Sequence, residues 1–572
     1  MNNTLNEKKY SLQELLTSTG GRLLHSDQLN LAKAENIFFS GVGTDTRKDL
    51  SGQIFFALKG DVFDAHDFLD KAIEAKAAAL VVHNQEEISL KNQTNSNVNS
   101  SEITQEQQKN SDPIKILCQQ QGIPVILVTD TLKALQAFAN YYRRQLPSRV
   151  LAITGSNGKT TSKEFSAAVL STVFRTHFSY GSFNNHWGVP LTILSAPKST
   201  EVLILEMGMN HAGELTDLVK IAEPDVVVCT TVGKAHIEHF GTVDKIAEAK
   251  KEIYFAAHSD KKHSEKKLLR IFNLDNPWTK KMFEEFSTES PWIGFTKDTA
   301  TYERLVSSAH SSKQQTQPQQ QHLQAVVNLS ITELSMQGLK IQGQIHLRPI
   351  LANLLQATEP AQSYSSTSSS ALSTSTPADL QVQVPVFGEH NLTNLMVAAS
   401  LGVACGMTTS QIESALSHCR TNWGRNQLVQ TQSGAQILFD GYNANPDSMR
   451  ALVQNLKLIH NRGQRIGVFA EMLEMGPAAA ELHHELGSLV AKENFTKVYF
   501  YGAHFEDFAK GVKMVNSKME LIAEKDFSPD RAAQIASSLT KEDIALVKGS
   551  RGMKTERFVF ACQPIDFKGK EG

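Results

Sequence analysis

Short apolar runs alternate with longer amphipathic stretches through most of the chain. The runs occupy residues 150–153, 202–205, 226–228, 437–439, 466–469 and 545–547. Continuous apolar runs of this length are typical of strands that are buried on both faces, as in a parallel sheet covered by helices. The pattern therefore predicts α/β domains with mainly parallel sheets.

The length of the chain indicates more than one such domain. Its 572 residues are enough for roughly three to four domains of ~150 residues each. We place the domains at residues 1–146, 147–423 and 424–572, and we predict an α/β architecture for all three.

Three tracts differ in composition from the rest of the chain. Residues 92–112 hold few apolar side chains, residues 307–321 are rich in Ser and Gln, and residues 363–378 are mostly Ser and Thr. Such segments bury too little apolar surface to offset the entropy lost on ordering. We interpret them as disordered surface insertions, and a role in binding a partner stays open.

The strongest local motif is a glycine-containing turn at residues 154–161, which read TGSNGKTT between a predicted strand and a predicted helix. Gly155 and Gly158 allow backbone N–H groups to close around phosphate, and the helix N-terminus adds its dipole. The spacing predicts that Lys159 reaches the β- and γ-phosphates and that the Thr160 hydroxyl binds Mg²⁺. The common pattern has one more glycine where this chain has Ile153, so the loop is a shortened variant.

Other candidates are weaker when judged from the residues alone. Glu206 closes an apolar run, where a phosphate-loop enzyme places a carboxylate for Mg²⁺, but an ordinary strand-end acid fits equally well. His236 follows the next predicted strand, and a lone histidine is more often a structural residue than a ligand. Lys250 lies in a stretch that looks like the solvated face of a charged helix.

Composition and charge exclude several classes of protein. Lys and Arg number 57 against 59 Asp and Glu, a net charge of −2, so no basic field favours a nucleic acid motor. No apolar run of ~20 residues predicts a membrane span, and no signal sequence is visible. The five cysteines are scattered without a C-x-x-C pair, which favours reduced thiols over disulfides or zinc. We expect a cytoplasmic protein.

Several motifs spread over all three predicted domains resemble those of the Mur ligase family. The shortened phosphate loop is that family's own form. The other matching runs are residues 44–47 (TDTR), 52–60 (GQIFFALKG), 63–68 (FDAHDF), 183–192 (FNNHWGVPLT), 206–214 (EMGMNHAGE), 388–394 (GEHNLTN), 442–445 (YNAN) and 548–551 (KGSR). The resemblance implies a small N-terminal α/β domain, whose motifs at residues 44–68 hold the UDP part of a nucleotide substrate. It also implies a central P-loop-type domain that binds ATP and a C-terminal Rossmann-like domain.

The resemblance also assigns roles to residues around ATP. It makes Lys159, His236, Lys250 and Arg425 catalytic, with Lys250 carbamylated so that its new carboxylate helps to hold a second Mg²⁺. The metal ligands are then Thr160, Glu206, His236 and the modified Lys250. The implied ATP-binding set is Gly155, Ser156, Asn157, Gly158, Lys159, Thr160, Thr161, Asn391, Asn394, Arg425 and Asp440.

The remaining roles concern two small-molecule substrates. The resemblance implies that ATP drives the joining of D-alanyl-D-alanine to UDP-N-acetylmuramoyl-tripeptide through an acyl phosphate, in peptidoglycan synthesis. The implied substrate-binding residues are Asp45, Thr46, Arg47, Asn184, Asn185, Asn210, His211, Tyr442, Asn443, Asn445, Lys548, Ser550 and Arg551. We expect a monomer whose third domain closes on the second, with hinges near residues 146 and 424.

The chain departs from the family pattern on the side of the dipeptide. It has Ala470, Glu471 and Met472 where Gly-Asp-Met is frequent, and it has Gly552 and Met553 after the final motif. Alternatives are a folylpolyglutamate synthase-type ligase, the Mur enzyme that adds the third residue, and a nucleotide-dependent regulatory module that does not ligate.

Overall fold

The structure is a computed structural model. It describes residues 10–24, 36–60, 63–83, 122–235, 237–255, 267–310, 322–335, 338–347, 378–459, 461–515 and 518–567. The tract at 92–112 and His236 lie outside these residues, as do most of the other two tracts. The predicted bounds of those two are corrected at their ends, because residues 307–310 finish the helix Thr299–His310 and Ala378 begins a strand.

The described chain separates into two compact units. The first comprises Met1–Ser148, His177–Leu203 and Asp217–Glu223, and the second comprises Arg149–Thr176, Ile204–Thr216 and Pro224–Gly572. The predicted domain bounds at 146 and 423 stay a prediction. Within the described residues, no helix is both long and apolar enough to cross a membrane.

The first unit contains a five-stranded sheet. Its strand order is Arg22–Leu23, Val125–Val128, Ala79–His83, Gln53–Phe56 and Gly41–Gly43. Every neighbouring pair is parallel except the first. The helices of this unit are Leu12–Thr19, Leu69–Glu74, Thr131–Gln145 and Gly188–Ser195, with a 3₁₀ turn at Ala65–Phe68 and a short pairing of Tyr10–Ser11 with Phe38–Phe39.

Side-chain caps fix where these helices begin. Ser11 and Glu14 form a reciprocal capping box at the first helix, and the Asp130 carboxylate accepts from the backbone N–H groups of Leu132 and Lys133. Such caps satisfy donors that have no partner within the helix.

A nine-stranded sheet carries the phosphate-loop motif. Its strand order is Ala378–Val384, Gly338–Leu347, Leu323–Ser335, Trp292–Thr296, Leu269–Asn273, Val226–Cys229, Arg149–Thr154, Val202–Glu206 and Thr176–Phe178. The pairings from Leu323–Ser335 to Arg149–Thr154 are parallel, and the first three strands form an antiparallel meander. The helices are Lys159–Leu170, Glu214–Ala222, Ile237–Phe240, Val243–Lys251, Pro277–Phe286, Thr299–His310, Asn391–Ala404 and Thr409–Leu416, followed after Lys251 by a 3₁₀ turn at Glu252–Phe255.

The position of the phosphate-loop strand explains why four consecutive residues within it are apolar. Val150, Leu151, Ala152 and Ile153 have no exposed surface, because strands lie on both sides and helices cover both faces. In the parallel pairing with Val226–Cys229, Thr154 stands opposite Cys229. The segments that follow these two strands therefore emerge side by side at one edge of the sheet.

The C-terminal part of the chain forms a six-stranded sheet. Its strand order is Gln427–Gln430, Gln436–Asp440, Ile544–Lys548, Arg465–Ala470, Lys497–Tyr501 and Glu520–Glu524. Only the first pair is antiparallel. The helices are Pro446–Gln454, Ala479–Ala491, Phe505–Met514, Pro529–Ser537 and Glu556–Ala561, with 3₁₀ turns at Asn455–Leu458, Gly476–Ala478 and Arg551–Met553.

Alternate side chains of this sheet enter two separate cores. Leu438 packs in one cluster, whereas its neighbours Ile437 and Phe439 pack in the other. Successive side chains of a strand point to opposite faces, so an unbroken apolar run fills both layers. The predicted fold class, α/β with mainly parallel sheets, is confirmed.

We predict that Leu438→Ala destabilises the chain far more than Leu428→Ala. These two leucines are partners across the antiparallel pair, but Leu438 is fully buried whereas Leu428 is 40% exposed. The buried truncation should lower the free energy of unfolding by about 2–5 kcal/mol, and the exposed one by about 0.5 kcal/mol. Urea unfolding of both variants measures the difference, and equal losses would contradict the buried assignment.

Candidate active site

The phosphate loop requires glycine at two positions. Gly155 has φ 146° and Gly158 has φ 82°, both in the region that other residues rarely adopt. A Cβ atom at Gly155 would also overlap the Thr230 hydroxyl, and one at Gly158 would overlap the amide oxygen of Asn394. The loop is thus shaped by backbone conformation and by close neighbours, and it leads into the N-terminus of the helix Lys159–Leu170.

Residues after the neighbouring strand hold the loop in place. The Thr230 hydroxyl donates to the carbonyl of Asn157 at 2.5 Å, and the N–H of Ser156 donates to the carbonyl of Thr231 at 2.8 Å. The N–H of Gly233 donates to the Ser156 hydroxyl at 2.9 Å. The supporting role of Thr230 and Thr231 was not predicted, although both stand at the end of an apolar run.

Lys159 folds back over the loop that precedes it. Its Nζ donates to the carbonyl of Gly155 at 2.7 Å. Burial lowers the pKa of Lys159; the nearby carboxylate of Glu206 opposes this shift, and the charge of Arg425 adds to it. The structure therefore brings Lys159, Glu206 and Arg425 within electrostatic reach of one another, as the predicted site requires.

Thr160 and Glu206 form the oxygen pair expected beside a metal ion. Thr160 Oγ1 donates to Glu206 Oε1 at 3.0 Å, and both residues are buried. Hydroxyl and carboxylate oxygens suit Mg²⁺, which keeps several waters and binds substrate phosphates. These donors fit the ion, and across the described residues no group of three or more His, Cys, Asp or Glu forms a preassembled metal site.

Lys163 is a buried cation that sequence reasoning missed. Its side chain has no exposed surface, and its Nζ lies 3.1 Å from Glu164 Oε1 and 3.9 Å from Glu206 Oε2. It lies one helical turn after Lys159, so both face the same side of the helix. Helical spacing was the available signal.

Lys250 is buried rather than solvated. It is only 1% exposed within the helix Val243–Lys251, so its interpretation as part of a solvated charged face was wrong. Burial, together with the charge of Lys159, lowers the pKa of Lys250 to about 7, and the neighbouring Cys229 acts in the opposite sense. Burial in turn raises the pKa of the Cys229 thiol to about 11.

Asn391 and Asn394 lie beneath the loop, at the start of the helix Asn391–Ala404. Asn394 Oδ1 accepts from the Ser162 hydroxyl at 3.0 Å, and its Nδ2 donates to Asn391 Oδ1. Asn391 Nδ2 donates to the carbonyl of Phe387 at 2.7 Å. Both are buried, so their contacts in this structure are with the protein, and a role in binding the ATP base and ribose stays a prediction.

Arg425 and Asp440 stand near the start of the C-terminal sheet. The Arg425 guanidinium lies 4.1 Å from the ring centre of Tyr442, a cation–π contact that orients it. Asp440 is 8% exposed and forms an ion pair with buried Lys548. Lys548 also donates to the carbonyl of Asn443 at 2.9 Å, so the two predicted groups brace each other.

The helix Pro446–Gln454 begins against the phosphate loop. Asn445 caps this helix and its Nδ2 donates to Asn157 Oδ1 at 2.8 Å. Asp447 Oδ2 accepts from the backbone N–H of Lys234 at 2.9 Å. Asp447 was not among the predicted residues, and only its place beside Asn445 hinted at a role.

Ser550 and Arg551 follow the strand Ile544–Lys548. The Ser550 hydroxyl accepts from the N–H of Leu473 at 2.9 Å. The Arg551 guanidinium pairs with Glu556 at 2.6 Å and lies 5.0 Å from the ring centre of Trp423. Both predicted residues thus lie at the carboxyl edge of this sheet, where ligands bind in parallel α/β domains.

The first unit has a pocket of about 540 Å³ at the predicted UDP-binding motif. It is lined by Thr44, Asp45, Thr46, Arg47, Phe55, Phe63, Ala65, Phe68 and Lys71. The Arg47 guanidinium donates two hydrogen bonds to the Asp45 carboxylate, from Nε to Oδ1 at 2.8 Å and from Nη2 to Oδ2 at 2.9 Å. That hydrogen bonding lowers the pKa of Asp45 to about 2. Stacked rings and basic side chains give the pocket groups that suit a base and phosphates.

Four other predicted residues lie in two turns, of which the first is half-buried and the second exposed. In the first unit, Asn184 stands beside Asn185, and Asn185 Oδ1 accepts from the N–H of Gly188 at 2.9 Å. In the second, the backbone N–H of Asn210 donates to Glu214 Oε2 at 3.1 Å, and His211 Nδ1 lies 3.0 Å from Glu214 Oε1. Contact of either pair with substrate stays a prediction.

Comparison with known proteins finds matches over most of the chain. Residues 39–143 match the catalytic domain of the Mur ligase family, residues 153–352 the Mur ligase middle domain, and residues 424–551 the Mur ligase glutamate ligase domain. The UDP-N-acetylmuramoyl-tripeptide–D-alanyl-D-alanine ligase of Bacillus subtilis (strain 168) is 30% identical over 92% of this chain and 93% of its own. The ligase of the same name from Escherichia coli (strain K12) is 28% identical over 92% and 94%.

Solved structures share the fold over nearly the full length. A MurF structure from Acinetobacter baumannii has a TM-score of 0.72 at 24% identity, covering 98% of this chain and 99% of that one. The MurF ligase of Thermotoga maritima in complex with ADP has a TM-score of 0.62 at 23% identity, covering 91% and 96%. The phosphate loop and these likenesses define a three-domain protein with a P-loop-type central domain. The chain belongs to the Mur ligase family.

We predict that Gly155→Ala weakens binding of ADP by roughly tenfold or more. The added Cβ meets the Thr230 hydroxyl, and the backbone strain costs about 1–3 kcal/mol. Gly241→Ala is the matched control, because Gly241 also has positive φ, at 73°, but open space around it. Titration calorimetry with ADP measures both; equal affinities in the two variants would show that the overlap with Thr230 is irrelevant.

Proposed function

We infer that this protein uses ATP to join D-alanyl-D-alanine to UDP-N-acetylmuramoyl-tripeptide, the step that completes the pentapeptide precursor of peptidoglycan. The observation that carries the inference is the phosphate loop with Lys159, Thr160 and Glu206 gathered around it, in a chain whose relatives across more than nine-tenths of its length bear that activity in their names. A cytoplasmic location and a monomeric state are part of the proposal.

An amine cannot displace an oxygen of a free carboxylate, so amide formation first requires that this oxygen be converted into a good leaving group. Transfer of the γ-phosphoryl group of ATP to the tripeptide carboxylate gives an acyl phosphate, which the amine of the dipeptide attacks with release of phosphate. Lys159 and Arg425 neutralise charge on the transferring phosphoryl group, which is the main help a protein gives to such a transfer. The domains hold the carboxylate in line with the γ-phosphate.

Mg²⁺ fits beside Thr160 and Glu206, where it supplies charge neutralisation and a template for the phosphates. Thr160 contributes its hydroxyl oxygen and Glu206 a carboxylate oxygen. Lys250 adds a further ligand after carbamylation. A buried lysine with a pKa of about 7 keeps a large neutral fraction at physiological pH, and the neutral amine is the form that reacts with CO₂.

The other two substrates have separate sites in this proposal. The aromatic and basic pocket at residues 44–71 takes the UDP end of the nucleotide peptide. The carboxyl edge of the C-terminal sheet, with Lys548, Ser550 and Arg551, takes the dipeptide.

Phosphate release tests the reaction directly. We expect release only when ATP, UDP-N-acetylmuramoyl-tripeptide and D-alanyl-D-alanine are all present, and we expect Lys159→Ala to lower the rate by about 10²–10³-fold. Each substrate is omitted in turn, with circular dichroism to show that the variant is folded. Phosphate release that needs neither peptide substrate would rule out ligation, and release with L-glutamate or a third-residue amino acid in place of the dipeptide would favour another ligase.

Carbamylation of Lys250 is tested with ¹³C-bicarbonate. We expect a carbamate signal in the ¹³C NMR spectrum that increases from pH 6 to pH 8, because the amine loses its proton as the pH rises through about 7. Lys250→Met should abolish the signal, whereas Lys245→Met, an exposed lysine of the same helix, should keep it. A signal that survives in Lys250→Met would place the modification elsewhere.

A further inference from the structure

Two side chains at the start of the helix Pro446–Gln454 connect the C-terminal sheet to the phosphate loop. Asn445 Nδ2 donates to Asn157 Oδ1 at 2.8 Å, within the loop itself. Asp447 Oδ2 accepts from the N–H of Lys234 at 2.9 Å. All four residues belong to the second compact unit.

The partner segment of Asp447 is itself bonded to the loop. The N–H of Gly233 donates to the Ser156 hydroxyl, and that hydroxyl donates to the carbonyl of Gly233 at 3.1 Å. A Cβ atom at Gly233 would overlap the Asp447 carboxylate. The Asp447 carboxylate therefore packs against the backbone of Gly233, which is hydrogen-bonded to Ser156 of the loop. Only glycine at position 233 leaves room for this carboxylate.

The orientation of both side chains is fixed by the helix they precede. Asn445 Oδ1 accepts from the N–H of Ser448 as a cap, at 2.9 Å, which aims its Nδ2 away from the helix at Asn157. Asp447 lies in the first helical turn, where the helix dipole favours a negative charge. Neither residue needs to reorganise to make its contact.

We propose that Asp447, with Asn445, is a positioning residue that fastens the C-terminal domain to the phosphate loop, so that the phosphoryl-transfer site is complete only while that domain is in place. The proposal rests on the ligase function for its kinetic consequence and on geometry alone for its structural one. Through these two contacts the C-terminal domain, which takes the dipeptide, would control the ATP site of the central domain.

Removal of the carboxylate should lower the fastened population. A hydrogen bond to a charged acceptor corresponds to roughly a tenfold to hundredfold change in such an equilibrium. Because only the fastened form is competent, the second-order rate constant kcat/KM for ATP falls in proportion to its population. The fold itself should be unaffected, since Asp447 is only half-buried.

The chain supplies a closely matched control. Asp530 follows Pro529 at the start of the helix Pro529–Ser537, just as Asp447 follows Pro446. Each helix also has a polar cap before the proline. Asp530 is exposed, so Asp530→Ala removes the same helix-dipole interaction without touching the central domain.

Kinetics in five variants test the contact. We expect Asp447→Ala to lower kcat/KM for ATP by roughly tenfold or more relative to Asp530→Ala, and Asp447→Asn, which keeps an acceptor oxygen, to restore part of the loss. Gly233→Ala should lower kcat/KM for ATP to a similar extent, because its Cβ displaces the Asp447 carboxylate from the same contact. The double variant Gly233→Ala/Asp447→Ala should be no worse than Asp447→Ala, because the two changes break one contact. Effects of Gly233→Ala and Asp447→Ala that multiply, or an Asp447→Ala rate within twofold of Asp530→Ala, would overturn the proposal.

X-ray scattering in solution tests the same contact without turnover. With ADP present, Asp447→Ala should have a larger radius of gyration than Asp530→Ala; equal radii would overturn the proposal. If the unaltered protein forms no amide bond, the ligase function fails, and this scattering comparison still decides whether Asp447 fastens the two domains.

Discussion

The seating of the phosphate loop on the neighbouring strand is the interaction on which the rest of the site depends. The loop leaves the strand Arg149–Thr154, and the Thr230 hydroxyl and the Thr231 carbonyl receive it. Parallel register makes this possible, because Thr154 and Cys229 end opposite each other. Lys159 and Thr160 then begin a helix at a fixed place, and Glu206, at the end of another strand of the sheet, meets Thr160 from the side. A shift of strand register by one residue would turn Glu206, which lies on a strand, to the opposite face of the sheet.

Among the described residues, this edge of the sheet gathers more basic than acidic side chains. Lys163 Nζ lies 3.9 Å from Glu206 Oε2, and Lys159 is within electrostatic reach of Glu206, Arg425 and Lys250. Burial of cations is unfavourable unless an anion compensates them, and the lowered pKa values of Lys159 and Lys250 are the sign of that cost. A polyphosphate supplies the missing negative charge. The site is therefore electrostatically incomplete by itself, and the energy of completing it is available for binding and orienting the nucleotide.

The parts that could be predicted from sequence are those in which local pattern decides structure. Apolar runs gave the strands and their parallel pairing, and glycine spacing gave the loop, because both depend on backbone conformation over a few residues. The interpretation of Lys250 was wrong because its neighbours in sequence are charged, whereas its burial comes from tertiary packing that a local pattern does not record. Asp447 and Thr230 were missed because their partners are backbone groups of distant segments, and a backbone partner leaves no trace in the residue type. The resemblance to the Mur ligase family singled out Lys250, whereas the pattern of charged residues around it did not.

The two parallel sheets use their carboxyl edges differently. At the edge of the C-terminal sheet the described charges compensate one another, since Lys548 pairs with Asp440 and Arg551 with Glu556. That edge therefore needs no polyanion to compensate these charges. At the carboxyl edge of the nine-stranded sheet, by contrast, the basic side chains are compensated only when phosphate groups bind. The contact of Asp447 with the Lys234 backbone joins these two environments through a charge-assisted hydrogen bond. A lysine or arginine at that joint could not accept from the Lys234 N–H, so the contact needs an acceptor, which the Asp447 carboxylate supplies.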